Sequence, residues 1–165
     1  MKISIIIPVF NEKNYILDVL RKVNEQKNKF DLEIIVSDDF STDGTREILE
    51  VNKNLYDKVI FNKKNCGKGA AIINSLRHIT GDYVLIQDAD LEYNPDDYEK
   101  LINPVKYHSA DVVYGTRFKG SEAKRILYFK NRLANFVLSL LVSFLTNINF
   151  SDVETGYKLV KTSVL

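Results

Sequence analysis

The chain has 165 residues, with 23 Lys and Arg against 22 Asp and Glu and a formal net charge of +1. That length points to one domain, or most of one, with room for a proper core, and the balanced charge gives no electrostatic reason to expect nucleic-acid binding. With 45% apolar and 27% charged residues, seven glycines, three prolines and a single cysteine, the composition excludes disorder, collagen-like repeats, a disulfide framework and a Cys-rich zinc site.

Short apolar, β-branched runs alternate with helix-length segments. Ile3 to Val9 reads as a buried strand, too short before Pro8 for a secretory signal. Asn14 to Gln26 reads as a helix with Ile16, Leu17, Leu20 and Val23 on one stripe. Leu32 to Ser37 is the second strand, and Ser41 or Thr42 is a candidate cap for a helix running through Leu49. Lys58 to Phe61 is a third strand, followed by a helix from Gly69 to His78 that carries Ile72, Ile73 and Leu76. Tyr83 to Gln87 is a fourth strand. Pro95 opens a helix that reaches about Tyr107, and Val112 to Gly115 is a fifth strand. Leu133 to Ser151 carries no charge, but Asn135, Ser139, Ser143, Thr146, Asn147 and Asn149 make it a poor membrane span.

Strands apolar on both faces, each followed by a helix, predict an α/β sandwich with a mainly parallel central sheet. In such sheets ligands bind beyond the carboxyl ends of the strands, so the residues there carry the functional reading. Pro8, Phe10, Asn11 and Glu12 follow the first strand. Phe10 offers a flat face to a nucleobase, while Pro8 and Asn11 equally suit a plain strand-to-helix exit, with Asn11 as a cap. After the second strand come Asp38 and Asp39, where an acid can accept from ribose hydroxyls or a base edge. The competing use is that Asp39 and Asp43 cap the next helix and only Asp38 faces a ligand.

Asn65-Cys66-Gly67-Lys68-Gly69 is not a Walker A loop. Its glycines either let backbone amides and Lys68 approach a phosphate or simply fit a tight turn. After the fourth strand, Asp88, Asp90 and Glu92 alternate, and on an extended segment their oxygens converge. Three hard anionic ligands suit Mg²⁺ or Mn²⁺ shared with substrate phosphates. Arg117 follows the fifth strand, with Lys124, Lys130 and Arg132 beyond it; Arg suits forked recognition of phosphate oxygens, while Lys124 and Lys130 read better as a solvated basic surface. His78 and His108 lack partners for a catalytic triad.

Taken together, the pieces IIIPVFNE, IIVSDDFSTDGT, NCGKGAA, GDYVLIQDADLEYNP, ADVVYGTRFKG, NRLANF and SDVETGYKL, in this order, resemble the family-2 glycosyltransferases of the GT-A fold, and most of all the polyprenyl-phosphate sugar transferases. The resemblance implies one catalytic domain over 1–165. Its donor-binding part would be 1–115 and its acceptor-side part 116–165, the latter short of the further structure that relatives carry. It implies that Pro8, Phe10, Glu12, Val36, Asp38, Lys68, Asp88 and Ala89 line the donor pocket, and that Asp88, Asp90 and Glu92 hold Mg²⁺ or Mn²⁺. Arg117 and Arg132 would hold the acceptor phosphate. Phe40 stands where relatives carry Gly after the acidic pair.

The implied reaction is an inverting transfer from a nucleoside-diphosphate sugar to a polyprenyl phosphate at the cytoplasmic face of the membrane. A phosphate monoester, with a second pKa of about 6, arrives ionised and needs no base. The alternative acceptor, a saccharide hydroxyl, needs one, and Asp152 is the available carboxylate. A nucleotide-sugar-binding module without turnover is the remaining alternative. Leu133, Phe136, Val137, Leu140, Leu141, Phe144, Leu145 and Ile148 form an apolar helix face next to Lys130 and Arg132, suited either to the lipid surface or to a protein core.

Overall fold

The computed structural model describes residues 1–116 and 129–165. A six-stranded sheet has the order β3-β2-β1-β4-β6-β5. Its strands are β1 (Lys2–Val9), β2 (Asp31–Asp38), β3 (Lys58–Phe61), β4 (Tyr83–Ile86), β5 (Val112–Tyr114) and β6 (Lys158–Lys161). The helices are α1 (Ile16–Glu25), α2 (Thr45–Val51), α3 (Lys68–Leu76), α4 (Tyr98–His108) and α5 (Phe129–Thr146).

The parallel half forms where the strands are apolar on both faces. Ile3, Ile5, Ile7 and Val9 of β1 and Leu32, Ile34 and Val36 of β2 pack on Ile16, Val19, Leu20 and Val23 of α1 and on Ile102 and Val105 of α4. The stripe on α1 therefore runs through Val19, with Leu17 only half-buried. On the opposite face, α3 buries Ala71 and Ser75 and leaves Ile73 exposed, because small side chains bring that helix close to β1 and β2.

β1 pairs with β2 on one side and with β4 on the other, both parallel. The chain thus reverses its direction of travel across the sheet at the β1/β4 boundary, and a crevice opens beyond the carboxyl ends of those two strands. The sequence reading missed β6. It runs antiparallel between β4 and β5, so the sheet is mainly but not wholly parallel. β5 is consequently an edge strand, with Val112 and Tyr114 exposed.

Helix α5 is inverted relative to an ordinary surface helix. Its polar stripe Asn135, Ser139 and Ser143, four residues apart, faces the protein, and Leu133, Phe136, Val137, Leu140, Leu141, Phe144 and Leu145 face outward. The stripe accepts hydrogen bonds from the backbone N–H groups of Glu154, Val153 and Phe150. Those bonds anchor the return segment that leads into β6. Among the described residues no helix is long and apolar enough to cross a membrane.

Candidate active site

A cavity of about 370 Å³ lies beyond β1 and β4. Pro8, Val9, Phe10 and Glu12 line it from the β1 exit, Asp39 from the β2 exit, and Asn65, Gly67, Lys68 and Ala71 from the start of α3. Asp88, Ala89 and Asp90 complete it from the β4 exit. The cavity lies where the crevice rule expects one, and of the expected donor-pocket residues it gathers Pro8, Phe10, Glu12, Lys68, Asp88 and Ala89.

The β1 and β2 exits are stitched together by side-chain bonds to backbone. Asn11 N–H donates to Ser41 Oγ at 2.9 Å, Asn11 Oδ1 accepts from Thr42 N–H at 2.8 Å, and Glu12 N–H donates to Thr45 Oγ1 at 3.0 Å. Asn11, with φ of 56°, therefore braces the neighbouring loop and does not cap α1. Nor does Ser41 or Thr42 cap α2: Gly44, with φ of 103°, occupies that position, and Asp43 Oδ1 accepts from Thr45 N–H. Burial works to raise the Asp43 carboxyl, but hydrogen bonds from Thr45, Lys13 and its own backbone outweigh it and hold the group below its ordinary range.

Val36 and Asp38, expected on the donor wall, lie elsewhere. Alternation along β2 turns both side chains to the face that also holds Leu32 and Ile34, and both are fully buried. Asp38 Oδ2 pairs with Arg46 Nε at 2.5 Å, and Arg46 also donates to the carbonyl of Asn62. Phe40, at φ of 68°, places its ring 5.1 Å from that guanidinium, with Phe61 at 5.3 Å. The cation–π contact of Phe40 with Arg46 works against the cost of a bulky residue in the left-handed region.

Asp39 takes the place on the cavity that was expected of Asp38. It accepts from Asn62 Nδ2 at 2.8 Å and from the N–H groups of Cys66 and Gly67 at 3.0 and 2.6 Å. This fixes the glycine loop at the mouth of α3 and directs Lys68 across the cavity, where its Nζ pairs with Asp88.

The acidic segment is not extended. β4 ends at Ile86, and a tight turn follows with Leu91 at φ of 61°. Alternation therefore fails to bring three carboxylates together. Asp88 and Asp90 line the cavity, Glu92 is exposed away from its wall, and Glu92 N–H donates to Asp90 Oδ1 at 3.1 Å. Among the described residues no three His, Cys, Asp or Glu side chains form a ready cluster for a metal. Two carboxylates at the rim of an open cavity nevertheless fit a cation whose remaining positions come from water and phosphate.

Glu12 reports the same crowding of negative charge. Burial raises its carboxyl above the ordinary range, and the charges of Asp90, Asp43 and Asp88 raise it further. The folded value lies above the unfolded one, so folding is favoured while Glu12 is protonated and loses stability as pH climbs through that window. Glu12→Gln is accordingly expected to leave the melting temperature unchanged at pH 4 and to raise it at pH 7, by no more than about 2 °C. Calorimetric melts of both proteins without added metal check this; a fall at pH 7 contradicts it.

The return segment packs against the acidic turn. A Cβ on Gly156 would collide with the Asp88 carboxylate, so only glycine lets this backbone lie against the acidic turn. Gly156 N–H donates to Tyr93 Oη at 2.7 Å. Asp152 is buried and off the cavity wall, Arg132 is exposed on the first turns of α5, and Arg117 lies outside the described residues. Outside the expected donor set the wall also takes in Val9, Asp39, Asn65, Gly67 and Ala71, while Gly156, which the sequence did not single out, packs against the Asp88 carboxylate. The parity of Asp38 with Val36 was a signal that could have found Asp39.

A family model described as Glycosyl transferase family 2 matches residues 4–165. The dolichol-phosphate mannosyltransferase of Pyrococcus furiosus is 30% identical over 136 residues, which span 81% of this chain and 38% of that protein. The mannosyltransferase PcManGT from Pyrobaculum calidifontis, solved with GDP-Man and Mn²⁺, is 30% identical with a TM-score of 0.58, over 70% of this chain and 35% of that one. Glucosyl-3-phosphoglycerate synthase from Mycobacterium tuberculosis, solved with Mn²⁺, UDP and glucosyl-3-phosphoglycerate, is 21% identical with a TM-score of 0.73, over 99% and 58%, and shows the fold. The sheet and its helices are thus of the GT-A type, and the chain spans about two fifths of the length of its Pyrococcus relative.

Proposed function

This chain belongs to glycosyl transferase family 2, and from that membership we propose an inverting transfer of a sugar from a nucleoside-diphosphate donor, GDP-mannose or UDP-glucose in kind, to a polyprenyl phosphate, with Mg²⁺ or Mn²⁺ as cofactor. The observation that carries this reading is the cavity that joins Phe10 and Asp39 on one side to Lys68, Asp88 and Asp90 on the other. An aromatic face and an acceptor carboxylate suit a base and ribose; a cation and two carboxylates suit a metal-bound diphosphate. Residues 1–115 form the donor-binding part in this reading, and 116–165 the acceptor side.

Phe10 stacks the base, and Asp39, held by the glycine loop, presents its carboxylate to the ribose or base edge. Lys68 transfers its attention from Asp88 to the diphosphate once the donor arrives. Asp88 and Asp90 would hold the divalent ion, which when bound supplies Lewis-acid stabilisation of the departing diphosphate. A phosphate oxygen of the acceptor forms the new bond to the anomeric carbon from the opposite face, while the bond from that carbon to the diphosphate oxygen breaks with its electron pair. No proton has to be removed. Arg132 and Arg117 align the acceptor anion.

Three things favour the phosphate acceptor over a saccharide hydroxyl. Asp152, the candidate base, is 2% exposed and off the cavity wall. The outward apolar face of α5 beside Lys130 and Arg132 suits a polyprenyl chain at the cytoplasmic face of a membrane. The Pyrococcus relative is a dolichol-phosphate mannosyltransferase.

A thermal-shift panel of UDP- and GDP-sugars, with and without Mn²⁺, tests the donor side. One base is expected to stabilise the fold only with Mn²⁺, by about 2.7 kcal/mol at a hundredfold excess over Kd. On the acceptor side, Arg132→Ala is expected to retain that shift and lose transfer to polyprenyl phosphate. Stabilisation by no nucleotide sinks the transferase reading, and undiminished transfer to a sugar hydroxyl sinks the lipid acceptor.

A further inference from the structure

Gln87 lies fully buried under the acidic turn and uses every hydrogen-bonding position of its amide. Its Nε2 donates to the carbonyl oxygens of Asp88 at 2.9 Å and Tyr93 at 3.1 Å, the two ends of the turn that carries Asp90. Its Oε1 accepts from the hydroxyls of Tyr98 at 3.0 Å and Tyr157 at 3.1 Å. The two backbone carbonyls can only accept, so they fix which way round the amide sits. Four pieces of the chain meet at one side chain: the end of β4, the acidic turn, α4 and the segment entering β6.

The turn needs this support because, among the described residues, the last backbone bond it receives from the sheet is that of Gln87 N–H, which donates to the Ile6 carbonyl at 2.9 Å. Past that bond, the carbonyls of Asp88 and Tyr93 are held by a side chain. The same hub reaches the acceptor side. The Tyr93 and Tyr157 rings lie 4.5 Å apart, and Tyr93 Oη takes the Gly156 N–H. Burial pushes both the Tyr98 and Tyr157 hydroxyls far up, so they stay protonated donors to Gln87.

We propose that Gln87 is the positioning residue of this site: it sets the spacing of Asp88 and Asp90 and locks that spacing to the return segment through Tyr93 and Tyr157. Gln87 touches neither donor nor acceptor. It acts on the carboxylates through the backbone that carries them, as partners behind metal ligands do elsewhere. The proposal deepens the transferase reading and rests on it for the role of the two aspartates.

The test uses the whole chain with Gln87→Met, which keeps length and loses all four bonds, and Gln87→Glu, which keeps both acceptances and loses both donations. Amide hydrogen exchange is read first, without metal. Exchange at 88–93 is expected to accelerate at least about tenfold in both variants, while amides of β1 and β2 keep their protection. Mn²⁺ is then titrated against the nucleotide selected by thermal shift. Half-saturation is expected to rise about 10–100-fold, with nucleotide affinity in chelator within about twofold of the parent. Tyr157→Phe, which removes one of the two bonds to Oε1, is expected to give a smaller shift of the same sign.

Unchanged exchange at 88–93 and unchanged half-saturation overturn the proposal. So does a loss of nucleotide affinity in chelator that matches the loss in Mn²⁺, since that marks general damage to the fold. Should Gln87→Met not fold, Gln87→Glu and Tyr157→Phe decide by the same readouts. A parent protein indifferent to Mn²⁺ overturns the metal-dependent transferase reading, while the exchange data still judge Gln87 as the support of the turn.

Discussion

Asp90→Asn is expected to abolish Mn²⁺-dependent donor binding and to lower sugar transfer by about 10²–10³-fold, while the melting temperature stays within about 2 °C of the parent. The two halves of that result have different causes. Asp90 sits exposed at the cavity rim and accepts from the N–H of Glu92, a bond an amide oxygen also accepts. Removing its charge therefore costs the fold little. Asp88, by contrast, faces Lys68 across the cavity, so its charge is already shared. Asp90 is then the carboxylate with most charge to offer a cation, and Asn keeps its shape while withdrawing that charge. Calorimetry of nucleotide binding with Mn²⁺ and with chelator, run beside a transfer assay, reads both halves. Equal nucleotide affinity before and after chelation in the parent would remove the metal from the reading altogether.

Much of this site was legible because parallel strands end where ligands bind, and unusual residues at those ends can be read directly. Phe10, Glu12, Lys68, Asp88 and Asp90 all meet at the cavity for that reason. Asp38 and Asp39 show where the reading gave out. Adjacent positions point to opposite faces, and the parity shared by Ile34, Val36 and Asp38 sends Asp38 into the core, where Arg46 neutralises it. Glu92 failed for another reason. The turn at Leu91 takes a left-handed conformation that no glycine or asparagine announces, so period-two alternation does not carry past Ile86. β6 was missed because Lys158–Lys161 has only two apolar residues between lysines and draws its stability from two antiparallel neighbours distant in sequence. On α5 the apolar periodicity was plain, but periodicity cannot say which face turns inward. There the inner face is chosen by three backbone N–H groups of the return segment, which need Asn135, Ser139 and Ser143 as acceptors.

The return segment gives the second large effect, from the smallest chemical change. Gly156→Ala adds one methyl group, and the backbone there lies outside the left-handed region, so conformation alone does not forbid it. Space does. The new Cβ would sit 2.7 Å from Tyr93 Cε2 and closer still to the Asp88 carboxylate. Neither neighbour yields freely: Tyr93 is stacked on Tyr157, and the Asp88 carbonyl is tied to Gln87. The carboxylate must turn away from its cavity position or the segment must lift, at a cost of about 1–3 kcal/mol for overpacking. A carboxylate displaced by about 1 Å is expected to cost around 10²-fold in transfer, with Mn²⁺ affinity falling in parallel. In an Asp88→Ala background the methyl group finds room on that side, so the stability cost of Gly156→Ala is expected to shrink. Denaturant melts of the four proteins in this cycle measure the coupling. Strict additivity would place the strain at Tyr93 and leave Asp88 where it stands in the parent.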